Sequence, residues 1–317
     1  MKFKKLKKCF ICDSFNILKI SIIKSPIKKI NKVFDLMKCK ICLHRFISKV
    51  PSQIELNKLY EIDSPYVFGG TFQEVDQKKN FINNKFEDIK PQFDHWIFRH
   101  LEPIIGKYFE LGPGLCRLYR TFFLKGWKCQ GLEPRSFIKS NGIKKDINEI
   151  ENDNDVVVAF DVLEHLVDPI KMLKIINFKI KDQGKIFLTY PHSESFRSKI
   201  LKDDWPMVSP LSHIHYFSKK STKIMLEKTG YEIIFIKDFS FVEPRRFIRN
   251  LIKMPIILIK DIFQLKFKKI IQRIVEIFLN ILDLINGDQL KVIAKKNPGN
   301  FFPRVLILYS ECFMSVL

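Results

Sequence analysis

Short apolar runs recur through the middle of the chain with the rhythm of alternating strands and helices. Segments 107–111, 128–133, 142–146, 155–160, 185–190, 231–239 and 290–295 read as seven strands. Asp155 to Phe160 (DVVVAF) is almost continuously apolar, the pattern of a parallel strand covered on both faces. Residues 91–103 read as an amphipathic helix, with Pro91 at its start and Pro103 near its end. Together these elements predict an α/β domain over 91–296, a three-layer, doubly wound seven-stranded sheet. Between the last two strands, residues 244–287 exceed a normal connection. Their apolar residues recur at helical spacing with Lys or Arg on the rest, which predicts a helical insertion. Outside the domain lie a small module over 1–50, a linker over 51–90 and a tail over 297–317.

Composition sharpens the picture in two places. The net charge of +21, from 55 basic and 34 acidic residues, suits anionic partners, although a lysine-rich bias of the source accounts for it equally well. The start MKFKKLKK has the charge of a signal peptide, but lysines interrupt each apolar run that follows, and none approaches the roughly 18 residues of a spanning helix. A cytoplasmic protein is expected. The insertion 244–287 suits either packing on the domain or peripheral contact with an anionic membrane surface.

Seven cysteines are present, and four form the pairs Cys9-Phe-Ile-Cys12 and Cys39-Lys-Ile-Cys42. Two such knuckles can complete a tetrahedral ion, and a filled four-thiolate shell serves folding, so a structural zinc is predicted, against the alternative of buried free thiols. The 26 residues between the knuckles exceed the usual spacing. His44 reads as a surface residue, and Cys116, Cys129 and Cys312 as plain core or surface positions.

The stretch KYFELGPGL, residues 107–115, ends a strand on Glu110 and turns through Gly112 and Gly114. Glycine lets a ligand approach bare backbone, although Arg117 stands where a dinucleotide fingerprint would want a third glycine. The second strand ends at Glu133, where an acid can accept both ribose hydroxyls of an adenosine, and the fourth is followed by Asp161.

With Glu110-Leu-Gly-Pro-Gly114, Gly131-Leu-Glu133-Pro, Asp161-Val-Leu-Glu-His-Leu-Val-Asp-Pro169, Ser212-His-Ile-His-Tyr-Phe-Ser218 and Gly287-Asp-Gln-Leu-Lys-Val-Ile-Ala294, the chain resembles the class I S-adenosylmethionine-dependent methyltransferases over roughly residues 90–296. The resemblance implies that Glu110, Gly112 and Gly114 lie under the methionine part of S-adenosylmethionine, that Glu133 holds the ribose, and that Asp146 faces the adenine. Members of this group often carry an amino-terminal cysteine ribbon and a Tyr- and Gly-containing linker, here Tyr60 to Thr71, whose Gly69-Gly70 turn would fold back over the cofactor.

Transfer of a methyl group needs the acceptor held in line in a dry pocket. A hydroxyl or activated carbon also needs a base, and His165, His213 and His215 are the candidates, with His213 and His215 favoured because two-residue spacing in a loop can turn both to one side. A structural hydrogen-bonding role is the alternative for each. His192 is a weaker candidate, and His95 and His100 belong to the leading helix. Asp161 and Glu164 would orient the acceptor, with a helix cap as the plainer role for Glu164. Nucleic acid is disfavoured as substrate: Asp161-Val-Leu-Glu164 stands where amino-methylating DNA enzymes resemble one another in an Asn/Asp-Pro-Pro-Tyr motif, and no Pro-Cys pair occurs. A nucleotide sugar or glycan intermediate is expected first, then a prenylated quinone or other lipid. A non-catalytic binding protein is disfavoured by intact Gly112, Gly114 and Glu133.

Overall fold

The computed structural model describes residues 3–24, 32–52, 55–56, 86–101, 105–133, 142–240 and 267–298. The linker turn at Gly69-Gly70, residues 244–266 of the insertion, Cys312 and all but the first two residues of the tail lie outside them.

At the amino end, β1 (Phe3–Lys5) is followed by β2 (Ile17–Lys24), β3 (Val33–Cys39), β4 (Arg45–Ile47) and β5 (Lys49–Pro51). The two knuckles have the same backbone. Asp13 and Leu43, each following a second cysteine, adopt left-handed φ values of 60° and 62° and donate to the carbonyls of Cys9 and Cys39, each at 3.0 Å. These tight turns aim two cysteine side chains apiece at one point. The surplus length between the knuckles is taken up by the β2–β3 hairpin, so it enlarges the sheet without separating the thiols. Cys9 Sγ lies 3.5 Å from Cys42 Sγ, and Cys12 Sγ 3.5 Å from Cys39 Sγ.

The second sheet contains β6 (Lys107–Leu111), β7 (Lys128–Leu132), β8 (Ile143–Lys144), β9 (Asn154–Phe160), β10 (Ile180–Pro191), β12 (Tyr231–Phe239) and β13 (Gln289–Lys296). Its spatial order is β12-β13-β10-β9-β6-β7-β8, with β13 antiparallel to both neighbours and the remainder parallel. The seven expected strands are all present. Successive side chains feed opposite layers: Phe109, Leu111, Val157 and Ala159 enter one core, Tyr108, Val156 and Val158 the other. Burial on both faces explains why DVVVAF has no polar alternation.

The helices are α1 (Arg117–Leu124), α2 (Pro169–Lys179), α3 (Phe196–Leu201), α4 (Lys219–Lys228) and α5 (Phe267–Ile285). Asp168 caps α2 by accepting from Lys171 N at 2.7 Å, with Pro169 in the first turn, so the cap considered for Glu164 belongs to Asp168. Ser218 and Ser221 cap α4 reciprocally.

One expectation needs correction. The leading helix over 91–103 is a single 3-10 turn, Trp96–Arg99. Aromatic packing overrides its helical period: His95 stacks on Phe160 with centroids 5.3 Å apart, and Trp96 meets Phe187 at 5.9 Å. The amino-terminal module is also contiguous in space with the larger domain, because β11 (His215–Tyr216) pairs with β4 and completes the sheet β11-β4-β3-β2.

The described part of the insertion, α5, is oriented against the usual rule. Its polar residues Glu276 and Asp283 face the domain and both pair with Arg197. Phe267, Ile271, Ile274, Val275, Phe278, Ile281 and Leu284, at helical spacing, are exposed. Among the described residues no helix is long and apolar enough to cross a membrane.

A Cβ at Gly287 would lie 1.9 Å from the Phe239 carbonyl oxygen, where β12 and β13 begin to pair. Backbone cannot yield as a side chain does, so Gly287→Ala is expected to destabilise by about 1–3 kcal/mol, read as a lowered denaturation midpoint.

Candidate functional site

Carboxylates gather at the carboxyl ends of β6, β7 and β9, where the order of a doubly wound sheet reverses and leaves a crevice. At β6 the chain turns through Gly112 (φ 66°) and Gly114 (φ 50°). A Cβ at Gly112 would approach Val162 Cγ2 to 2.7 Å, so the missing side chain lets this turn close against the segment after β9. At Gly114, among the described residues, nothing lies nearer a Cβ than the Gly112 carbonyl oxygen at 4.0 Å.

Glu110 is buried, and the Tyr108 hydroxyl donates to its Oε2 at 2.7 Å. Burial lifts its pKa to about 7; the Tyr108 bond opposes the shift and the nearby Glu133 adds to it. Glu133 directly follows β7 with a buried side chain, its backbone N–H donating to the Lys144 carbonyl at 3.0 Å. Asp146 is placed otherwise than as a bare ligand-facing acid: its Oδ1 accepts from Asn148 N at 2.9 Å and caps the 3-10 turn Ile147–Glu149. Asp161 adopts a left-handed φ of 53° and accepts from the Thr189 hydroxyl at 3.2 Å. Its side chain reaches solvent yet is surrounded by protein, as at the wall of a cleft, and that desolvation raises its pKa to about 6.

Beyond Asp161, the 3-10 turn Leu163–His165 carries Glu164 and His165 toward His213. The backbone sets this meeting, since Ile214 N donates to the Glu164 carbonyl at 2.8 Å. The His165 and His213 rings lie 4.7 Å apart. His165 Nδ1 is 2.7 Å from the Ser212 carbonyl, and His213 Nδ1 is 2.7 Å from that of Met207. A carbonyl only accepts, so each neutral ring carries its proton on Nδ1 and presents a lone pair on Nε2. Burial holds His213 below its ordinary value. Glu164 is 1 % exposed, and its Oε2 has no hydrogen-bond partner. Burial, with Asp161 nearby, pushes its pKa well above the carboxylate range.

His215 does not join this group. It is fully buried, with Nδ1 3.1 Å from His44 Nε2 and its ring beside Phe10 and Phe217. The bend around His213, whose N–H donates to the Ser209 carbonyl, breaks the alternation that would turn both histidines one way. His44, expected at the surface, is likewise fully buried. Burial lowers His215 to about 4 and drives His44 well below its ordinary value, so two neutral rings join the second knuckle to the domain. His192 is buried and faces the Asp238 carboxylate at 3.1 Å. The four knuckle cysteines form a second cluster, their sulfurs all within 4.8 Å of one another. Sequence reasoning brought His165 and His213 to one place and did not join Glu164 to them; the adjacency of Glu164 and His165 in DVLEHL was the available signal for that.

Comparison with known proteins bears on these observations. The family model described as a methyltransferase domain matches residues 96–235. No curated protein sequence matches the chain. Similar solved structures include an S-adenosylmethionine-dependent methyltransferase from Mesorhizobium loti, at 13% identity, TM-score 0.43, and coverage of 63% of this chain and 95% of that one. Another, from Archaeoglobus fulgidus, has 16% identity, TM-score 0.42, and coverage of 63% and 90%. A possible histamine N-methyltransferase from Thermotoga maritima has 14% identity, TM-score 0.42, and coverage of 73% and 99%. Residues 96–235 thus match a methyltransferase domain, and the seven-stranded sheet built on them has the Rossmann-like methyltransferase fold.

Proposed function

We propose that the protein transfers a methyl group from S-adenosylmethionine to a small-molecule or glycan acceptor, a nucleotide sugar or cell-surface glycan intermediate before others. The observation that carries the reading is the gathering of a glycine turn, three carboxylates and a histidine pair at one sheet end. The residues fit the cofactor: among the described residues none crowds the Gly114 end of the turn, and Glu110 and Glu133 sit at adjacent strand ends. When bound, S-adenosylmethionine supplies an electrophilic methyl on a sulfonium. Glu133 accepts the ribose hydroxyls, Glu110 lies under the cationic methionine part, and Asp161 stands between that cradle and the acceptor. Asp146 remains the residue nearest an adenine role in sequence, through the oxygen that its cap leaves over. His213 and His165 each offer Nε2 to an acceptor proton in the required tautomer. His215 is assigned to the joint with the second knuckle and not to catalysis.

A second reading is favoured by α5. An outward apolar face flanked by Lys268, Lys269 and Arg273 suits an anionic bilayer, and a lipid-linked acceptor would then be met at the membrane surface. The knuckles we assign to a structural zinc. Their 3.5 Å sulfur separations approach the roughly 3.8 Å edge of a tetrahedron with bonds of about 2.3 Å.

Glu133→Ala is expected to weaken S-adenosylhomocysteine binding by at least about tenfold with the fold retained, one to two hydrogen bonds to a charged acceptor being lost; unchanged affinity in calorimetry would remove Glu133 from the cradle. Affinity for S-adenosylmethionine should fall as pH drops from about 8 to about 6, because Glu110 protonates near 7 and its attraction for the cation is lost. Glu110→Gln should flatten that profile, and a wild-type profile already flat would refute the placement. Metal analysis should find zinc bound by the cysteines, lost in Cys39→Ser; a well-folded protein with no cysteine-bound zinc would sink that assignment. Flotation with anionic phosphatidylserine vesicles should be abolished by Phe278→Asp if α5 meets lipid, and equal flotation of the two proteins would count against it.

A further inference from the structure

Base catalysis leaves one property of the acceptor-side cluster unused. Glu164, His165 and His213 bring one ligand atom each to within 4.8 Å of the others. We propose that these three side chains bind a single divalent cation of the borderline class, zinc in the first instance, at a site separate from the four cysteines.

The hydrogen bonding around the cluster is that of a metal site. Each histidine gives its Nδ1–H to a backbone carbonyl, Ser212 for His165 and Met207 for His213, the outer contact that fixes a ligating ring and raises the basicity of its other nitrogen. The neutral rings then have no N–H left for Glu164, which agrees with an Oε2 that is buried and has no partner. A buried carboxyl oxygen without a partner is costly, and a cation held between Glu164 and the two imidazoles would satisfy it. Two nitrogens and one oxygen suit zinc and its neighbours in the first transition series better than calcium or magnesium. With bonds of about 2.1 Å a tetrahedral ion needs ligand atoms roughly 3.4 Å apart, so side-chain adjustments of about an ångström would close the site. Three protein ligands leave a coordination position open. Its use is inferred on the methyl-transfer reading above: an acceptor oxygen would occupy it, and the histidines would then position the cation instead of taking the proton.

Full-length protein should be equilibrated with excess zinc, desalted and analysed for metal, as wild type, Glu164→Gln and His213→Asn. The expected result is one zinc equivalent fewer in each variant than in wild type, with circular dichroism unchanged and the cysteine-bound zinc retained. If one variant does not fold, the other carries the comparison. Equal zinc in wild type and the folded variants would overturn the site. S-adenosylhomocysteine calorimetry on the same wild-type sample separates the two claims. Cofactor binding without a zinc difference would refute the cation site alone, and a zinc difference without cofactor binding would refute the methyl-transfer reading while the cation site stands.

Discussion

The cleft depends on the parallel pairing of β6 with β9, which joins strands from the two halves of the sheet in register from Tyr108 and Val156 to Leu111 and Ala159. Because the chain leaves these neighbours toward opposite sides, the turn after each is free to line a crevice. The absence of a side chain at Gly112 lets Val162 close against the first turn, so two segments some fifty residues apart in sequence become one wall. The same constraint puts Glu110 and Asp161 in partly desolvated positions, and both lose acidity in consequence.

A second unit is built onto that wall through β11. The strand belongs to the catalytic domain by sequence and to the cysteine module by pairing, and the loop before it carries His213. Ser218 Oγ donates to the Cys42 carbonyl at 2.8 Å, and Lys228 Nζ to that of Ile11 at 2.8 Å, so both knuckles rest on α4. The cysteine module thereby holds the loop that brings His213 to His165.

The sheet was legible in the sequence because two-sided burial leaves an apolar signature in each central strand and glycine marks the turn between β6 and α1. The cysteine cluster was legible because two knuckles of the same spacing need only local sequence. What local pattern could not convey was long-range contact. Trp96 and His95 obey the packing of the sheet beneath them and not a helical period. His213 and His215 are separated by one residue and serve different neighbourhoods, a division fixed by Ser209, Glu164 and β4. The amphipathic spacing of α5 was evident, but its direction was set by Arg197, eighty residues away.

The pairing of β4 with β11 has a consequence for the order of synthesis. Arg45 and Phe46 leave the ribosome about 170 residues before Tyr216 and His215, their partners. At about 5–20 residues per second, β4 waits roughly 10 to 30 s for the strand that covers its open edge. During that interval the nascent chain exposes one open edge of β4 beside four cysteine thiols, and early capture of metal by the knuckles would protect both.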